Sequence, residues 1–276
     1  MNINSKLLVR LPGILFKLAL ALVFIFPFLW MLVTSIKTYD ETLIFPPTLL
    51  PAAVQWQNFV TVWNSGPYLM YLRNSIIVTL SILAMQTIVM VPAAYAFAWY
   101  QFRGRNLCFG VVMLAFMIPT QLTFISVYLM LARMQLLKTL IPQILPFGAN
   151  AFGIFMLRQA FKQTPLEIIE SARLDSAPEL GILFRILLPM AKPSLIAISM
   201  FSFISHWNDY FWPFVMTNTV DVRPLTIGIA ALRDIEGAFQ WEIIMAGNVI
   251  LVLPILIVYM LYNKKIINAF IYSGIK

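Results

Sequence analysis

The amino-acid sequence predicts an all-α integral membrane protein with six transmembrane helices. Hydrophobic residues make up 61% of the 276 residues and charged residues only 11%, whereas a soluble domain is about 25% charged. Six apolar stretches each approach or exceed the roughly 20 residues that a helix needs to cross the hydrocarbon core. A charged segment, 164–193, separates the fourth stretch from the fifth. The whole chain, 1–276, is therefore interpreted as one membrane domain with a structured polar loop.

The six predicted spans follow one another with mostly short connections. The first has an apolar run too long for the hydrophobic region of a signal peptide, which predicts an uncleaved span. The fourth is the weakest because Pro142, Pro146 and Gly148 interrupt it, and irregular backbone at membrane depth must be surrounded by protein or a water-filled cavity. Kinks are predicted at Pro92, Pro119, Pro213 and Pro254. The spans are 14–36, 75–99, 107–130, 140–161, 195–216 and 243–262.

The distribution of lysine and arginine predicts which loops face the cytosol. With six spans, both termini lie on the same side as the loops at 100–106 and 158–194. Of the 19 basic residues, all but six fall on that side. The six on the opposite side are Lys37, Arg73, Arg133, Lys138, Arg223 and Arg233. Because cytosolic loops carry the excess of basic residues, both termini and the 164–193 loop are predicted to be cytoplasmic.

Two capping motifs predict short helices inside this charged loop. Thr164 is a predicted N-cap, with Pro165 at the first helical position and Glu167 three residues after the cap, the pattern of a capping box. Ser176 and Glu179 repeat the pattern, so two helices are expected to meet near Ser176. Composition alone also allows an amphipathic loop lying on the membrane surface, but an acidic face suits an anionic inner leaflet poorly.

The charged loop also contains a recognisable sequence motif. Segment 170–177 reads ESARLDSA and is followed by Phe184, Ile186, Leu188 and Pro189. It resembles the EAA motif of ABC-importer permeases, E-A-A-x-x-D-G-A, with F, I, L and P at the same later spacing. Other parts of the chain resemble the carbohydrate-uptake, maltose-type branch of these permeases: AAYAFA at 93–98, FRGR at 102–105, MIP at 117–119, WNDYFWP at 207–213, LP at 253–254 and GIK at 274–276.

The resemblance implies the type I ABC-importer fold, in which the 164–193 loop is a coupling-helix hairpin that docks into a groove of an ATPase subunit. The acids would contact or orient the groove and the alanines would seat against it. The implied coupling residues are Glu167, Glu170, Ala172, Asp175, Ala177 and Pro189. Ser176 stands where the motif has its turn glycine, which removes an easy left-handed conformation. Serine offers an N-cap for the second helix instead, so the hairpin is expected to persist with an altered turn.

The energy source is expected to lie outside this chain. No phosphate-binding loop of the form G-x-x-x-x-G-K-[S/T] occurs in the sequence. The resemblance implies an ATPase dimer that binds ATP and magnesium, a second permease and an extracytoplasmic solute-binding protein, in a bacterial or archaeal inner membrane. The chain itself is expected to be non-catalytic, to contact lipid but no nucleic acid, and to hold no cofactor or metal. Its single Cys108 and single His206 exclude a His/Cys metal cluster and an intrachain disulfide.

Ionisable residues within the fifth span are candidates for the translocation pathway. Such residues are costly inside a bilayer and usually face a cavity or a partner. Aromatic and amide neighbours complete a set suited to a sugar-sized polar solute: His206, Trp207, Asn208, Asp209 and Trp212. The alternative is structural, with Asn208 and Asp209 paired to another helix or to the second permease.

Two other classes of function compete with an ATP-driven permease for a sugar or sugar-like solute. A secondary transporter driven by an ion gradient needs several intramembrane acids, and only Asp209 qualifies. A membrane-embedded enzyme needs a nucleophile with a base or a metal site, and His206 has no evident serine partner in the sequence. The sequence leaves the identity of the solute open among saccharides, polyols and glycerol-phosphate compounds.

Overall fold

The computed structural model describes residues 3–233 and 239–274, with side chains described from 12 to 233 and from 239 to 263, and in those ranges it contains helices and connecting loops without β-strands. The α-helices are α1 Ile3–Ser35, α2 Tyr39–Leu43, α3 Gln57–Asn64, α4 Tyr68–Trp99, α5 Arg105–Met117, α6 Thr120–Arg133, α7 Ile141–Ile144, α8 Ala151–Lys162, α9 Leu166–Leu174, α10 Glu179–Gly181, α11 Leu188–Met190, α12 Lys192–Trp207, α13 Phe211–Met216, α14 Leu225–Ala230 and α15 Trp241–Gly274. A π-helix, Ile182–Leu187, joins α10 to α11, and two short 3₁₀-helices are Leu145–Phe147 and Val220–Val222.

Three described helices are long and apolar enough to cross a membrane. Two further pairs also qualify if each is counted as one broken span, which raises the number to five. The single helices are Pro12–Ser35, Tyr68–Trp99 and Trp241–Asn263, and the bent pairs are α5 with α6, at 93°, and Glu179–Met190 with α12, at 76°. The all-helical class is confirmed, and the count of six stays a prediction.

The predicted fourth span, 140–161, is not among these helices and bent pairs. There the chain forms α7, a 3₁₀ turn and then α8, which begins only at Ala151. Pro142 and Pro146 lack the N–H that a continuous helix would use. Asn150 restarts the helix as its N-cap, because its side chain accepts a hydrogen bond from the Gly153 N–H. The interruption expected from the sequence is therefore present.

Prolines act unequally on the other spans. Pro119 ends a helix: Ile118 before it is extended, and α5 and α6 meet there at 93°, because proline disfavours a helical conformation in the preceding residue. Pro92 and Pro254 instead lie inside the continuous helices α4 and α15. The predicted span 195–216 ends as a helix at Trp207 and resumes only as the short α13.

The described residues divide into two compact units, one made of those up to 68 and those between 228 and 254, the other of residues 69–227 and the described residues from 255 onward. In the first unit, a loop after α1 folds around Lys37, whose side chain is only 1% exposed. Its ammonium group donates to the carbonyl of Thr48 and lies 4.9 Å from the ring centre of Trp30. The Glu41 carboxylate accepts from the Ala52 N–H at 2.6 Å. These bonds hold the 38–56 segment in a defined loop.

The second unit contains the main hydrophobic core. Buried residues of α4, α8, α9, the π-helix and α12 form one cluster, with Ala94 fully buried. A Cβ added to Gly153 would lie 2.8 Å from the sulfur of Met90, so α8 approaches α4 closely there. Arg158 of α8 donates to the Phe97 carbonyl at 3.1 Å. The charged loop thus packs into the same core as the membrane helices.

Candidate functional site

The first helix of the charged loop begins one residue later than the sequence predicts. Pro165 has an extended ψ of 137° and is the N-cap of α9, without a side-chain capping bond. The predicted capping box of Thr164 and Glu167 is therefore wrong. Since Pro165 adopts the non-helical cap conformation itself, Thr164 lies outside the helix, and it is buried.

The turn after α9 uses a serine in the conformation usually given to glycine. Ser176 has a φ of +58°. The Ala177 N–H donates to the Ala172 carbonyl and the Ser176 N–H donates to the Arg173 carbonyl, both at 3.0 Å, which is the bond pattern of a Schellman motif. The predicted N-cap role of Ser176 is wrong, because Pro178 is the N-cap of α10. Ser176 closes the first helix rather than opening the second.

Glu179 connects the loop to a membrane helix. Its carboxylate accepts from the Arg173 guanidinium, at 3.0 Å to Nε and 3.4 Å to Nη2, and from the Tyr95 hydroxyl of α4. The hydrogen bond to Glu179 raises the pKa of Arg173 above its ordinary value. An ion pair this exposed contributes little by itself, but the Tyr95 bond joins the loop to α4. We call Tyr95, Arg173 and Glu179 the loop latch.

The predicted coupling residues divide between the inside and the outside of the loop. Ala172 is 9% exposed and lies in the main core with Ile169, and Ala177 packs against the same cluster. Glu167, Glu170, Asp175 and Pro189 are exposed. Large apolar side chains are exposed beside them, and these form what we call the outer loop surface: Leu166, Ile168, Leu174, Leu180, Phe184 and Met190. Leu174 is the most exposed of them, at 86%.

A cavity of about 730 Å³ lies among α4, α5, α8 and the end of α12. His206, Asp209 and Trp212 of the predicted pathway set line it. Trp207 is buried and stacks on Phe203, with ring centres 5.5 Å apart. Asn208 is exposed and is not part of the lining.

Asp209 lies at the break between α12 and α13. Its carboxylate accepts from the Trp212 N–H at 3.3 Å, and its carbonyl accepts from the Thr226 hydroxyl at 2.9 Å. The Trp212 indole N–H donates to the Pro142 carbonyl at 2.9 Å. The bonds of Asp209 thus join it to the Trp212 backbone and the Thr226 hydroxyl, and its role in the pathway stays a prediction.

Four residues of the cavity region were not identified from the sequence. Gln86 of α4 accepts from the Ser202 hydroxyl at 2.6 Å and from the Asn150 amide at 3.3 Å. Its own amide donates to the Phe147 carbonyl at 3.0 Å and lies 3.4 Å from His206 Nε2. A glutamine in the middle of the apolar stretch 75–99 was a usable signal, because an unpaired amide there is costly.

Comparison with known proteins identifies the family. Residues 90–270 match the family described as the binding-protein-dependent transport system inner membrane component. The chain belongs to this family. This inner membrane component is 30% identical over 264 residues to the arabinooligosaccharides transport system permease protein AraQ of Halalkalibacterium halodurans, with 93% of each chain covered.

Two further comparisons agree on family and fold. The inner membrane component is 30% identical over 243 residues to the sn-glycerol-3-phosphate transport system permease protein UgpE of Yersinia pestis, covering 85% of this chain and 86% of that protein. A chain from the crystal structure of a bacterial ABC transporter involved in the import of alginate superposes with a TM-score of 0.82 at 23% identity, over 96% of this chain and 98% of that one. The fold is therefore that of a type I ABC-importer permease.

Proposed function

We propose that this inner membrane component is the transmembrane permease subunit of an ATP-driven importer for a sugar or sugar-like solute, forming half of the translocation pathway. The observation that carries the proposal is a cavity with a polar wall whose helices share one core with the charged loop. The relatives AraQ and UgpE are named for arabinooligosaccharides and sn-glycerol-3-phosphate, which supports a polyhydroxylated solute. Membership of a binding-protein-dependent family favours this function over the ion-driven alternative.

The partners follow from the same assignment. An ABC ATPase dimer would bind ATP and magnesium, an extracytoplasmic binding protein would deliver the solute, and a second permease would supply the other half of the pathway. The membrane-crossing part of α1 would contact lipid and the second permease. Both termini would lie in the cytoplasm of a bacterial or archaeal cell, and this chain would hold no cofactor.

The coupling surface is assigned to the charged loop. The exposed acids Glu167, Glu170 and Asp175, with Pro189 and the outer loop surface, would contact a groove of the ATPase. Ala172 and Ala177 would act from inside, because their small side chains let α9 lie close to the core. The coupling-helix hairpin would thus present acids and the outer loop surface to the ATPase, while Ala172 and Ala177 pack its inner face against the core.

The mechanism follows from the packing of the charged loop and the cavity helices in one core. Closure of the ATPase dimer around ATP would move the 164–193 segment, and the shared core and the loop latch would pass that movement to α4, α8 and α12. The cavity would then open alternately to either side, with hydrolysis resetting the cycle. Because the solute is polar and the barrier is hydrocarbon, a cavity lined in part by polar side chains is the feature that would make passage possible.

A charge reversal on the coupling surface tests the assignment. Glu170→Lys is expected to leave the complex expressed and assembled but to uncouple ATP hydrolysis from solute uptake in proteoliposomes, because the ATPase groove then meets the wrong charge. Asp40→Lys is the matched control, since Asp40 is an exposed acid of α2 on the predicted extracytoplasmic side. Undiminished ATP-dependent uptake by Glu170→Lys would refute the coupling role.

A further inference from the structure

The amide of Gln86 is the centre of a buried hydrogen-bond network beside the cavity. Its side chain is on α4 and only 4% exposed. It bonds to the Phe147 carbonyl, the Ser202 hydroxyl and the Asn150 amide, and it lies 3.4 Å from Nε2 of His206. The network therefore joins α4 to the broken fourth stretch and to α12.

The direction of every bond in this network follows from one backbone contact. The Gly153 N–H donates to Oδ1 of Asn150 at 2.8 Å, so the amide nitrogen of Asn150 is the group that faces Gln86. Gln86 must then present its oxygen to Asn150 and to Ser202, and its nitrogen to the Phe147 carbonyl. A flipped Gln86 would set two N–H donors against each other and two oxygens against each other.

The second N–H of Gln86 bears on which nitrogen of the His206 imidazole carries the proton. One N–H of the amide donates to Phe147, and the same nitrogen lies 3.4 Å from Nε2 of His206, within reach of its second N–H. Nε2 must therefore be the hydrogen-bond acceptor, and a neutral imidazole with an acceptor at one nitrogen carries its proton on the other. The Phe147 ring, centred 4.8 Å from the imidazole, packs against it. The geometry leaves Nδ1–H as the donor of a residue that lines the cavity.

We propose that Gln86 is a positioning residue that holds His206 as a neutral imidazole protonated at Nδ1, and that His206 donates this N–H to an oxygen of the transported solute. The proposal rests on the proposed function and names the substrate class: an uncharged polyhydroxylated molecule. The described lining contains no Lys or Arg to neutralise an anion, and Asp209 would repel one. A phosphorylated or carboxylated solute fits this half of the cavity poorly.

The protonation state can be measured directly because His206 is the single histidine of the chain. The full-length chain, labelled with ¹⁵N-histidine and embedded in lipid bilayers, is expected to show an Nδ1–H, unprotonated Nε2 pair of nitrogen shifts at neutral pH. Gln86→Glu replaces the donor by an acceptor and is expected to move the proton to Nε2. A wild-type spectrum of the Nε2–H tautomer or of imidazolium would overturn the proposal, as would an unchanged spectrum in Gln86→Glu.

Uptake by the assembled complex tests the donor. His206→Phe is expected to lower ATP-driven uptake of a neutral arabinooligosaccharide about tenfold, the loss of roughly one hydrogen bond. His206→Asn keeps an N–H near the Nδ1 position and is expected to retain most uptake. His206→Gln places its amide near the Nε2 position and is expected to lose uptake as His206→Phe does. Equal uptake by wild type and His206→Phe, or preferential uptake of sn-glycerol-3-phosphate by wild type, would contradict the proposal.

The proposed function and the contact of His206 with the solute can fail separately. If the wild-type complex takes up no saccharide, polyol or glycerol-phosphate compound in an ATP-dependent manner, the proposed function fails, and the nitrogen shifts still decide the tautomer of His206. If uptake of the neutral probe is present but insensitive to His206, the function stands and the substrate contact fails.

Discussion

At the scale of single residues, Ser176 and Ala172 of the charged loop differ from what the EAA-type motif implies for them. Ser176 adopts a φ of +58°, a conformation that costs an ordinary L-residue roughly 1–2 kcal/mol. Ala172 lies in the core rather than on the outer loop surface. Ser176 therefore closes α9 through its backbone, and Ala172 packs α9 against the core.

Replacing the turn serine by glycine is expected to stabilise the protein. Ser176→Gly removes the penalty for the left-handed conformation, a gain of about 1 kcal/mol, and should raise the thermal unfolding midpoint in detergent. Ser171→Gly is the matched control, because Ser171 is exposed within α9, where glycine costs about 1 kcal/mol relative to alanine. A lower midpoint for Ser176→Gly than for wild type would contradict the assignment.

The inner and outer faces of α9 should respond differently to changes in size. Ala172→Leu forces extra volume into the core and is expected to destabilise the chain by about 1–3 kcal/mol. Leu174→Ala, at a side chain that is 86% exposed, should leave the unfolding midpoint nearly unchanged and weaken association with the ATPase. Thermal unfolding and ATPase co-purification distinguish the two, and the reverse pattern would show that the faces are misassigned.

At the scale of the elements, short polar bonds fasten loops to helices. The loop latch ties the charged loop to α4, and Glu41 ties the 38–56 segment to itself through Thr38 and Ala52. The Tyr95–Glu179 and Ala52–Glu41 bonds join residues 84 and 11 positions apart, which no local pattern predicts, whereas Thr38 and Glu41 form a capping box three residues apart. The consequence is that the loops keep a defined shape while their outer surfaces stay available.

Removing one hydroxyl should weaken the connection between loop and membrane helix. Tyr95→Phe keeps the buried ring and deletes the donor to Glu179, so solute imported per ATP hydrolysed is expected to fall roughly two- to tenfold, the range of one hydrogen bond. Tyr259→Phe, at an exposed tyrosine of α15, is the control. Unchanged stoichiometry in Tyr95→Phe would rule out the latch as a route for the ATPase movement.

The 38–56 segment should loosen in acid. The hydrogen bonds from the Ala52 and Thr38 backbone lower the pKa of Glu41 below its ordinary value of 4.5. A lowered pKa means that this stabilisation is complete above the ordinary value and is lost as the pH falls through the lowered one. Hydrogen exchange at Ala52, corrected for its intrinsic rate, should therefore accelerate in that range. Glu41→Gln should remove the pH dependence, and an identical profile would show that another group is responsible.

At the scale of the whole molecule, the orientation in the membrane rests on charge rather than on contacts. Basic residues concentrate on the side that holds the charged loop and both termini, and the positive-inside rule then assigns that side to the cytoplasm. The family assignment adds that this is an inner membrane component. Sidedness thus remains a prediction that labelling can decide.

Two engineered cysteines test the orientation. In a Cys108→Ser background, Ser171→Cys is expected to react with a membrane-impermeant maleimide only from the cytoplasmic side. Asn218→Cys, in the loop on the opposite side, should react only from outside, and both positions are exposed. Reversed labelling would invert the topology, and labelling of both positions from one side would contradict an odd number of crossings between them.

The sequence by itself determined the class of the protein, because hydropathy, charge asymmetry and the EAA-type motif can be read from the order of the residues alone. It also located the break in the fourth stretch, since proline acts on its own backbone. The helix caps failed because a cap depends on the ψ of one residue: Pro165 took an extended conformation and displaced Thr164.

Only the tertiary structure decided which side chains meet. The contacts of Gln86 with Asn150, Ser202 and His206 join positions 64, 116 and 120 residues apart, and no local periodicity encodes such a pairing. Likewise, whether Ala172 faces a partner or the core depends on where α4 and α8 lie. Buried polar groups must find partners wherever the fold brings them, so the cavity wall became visible only once the helices were packed.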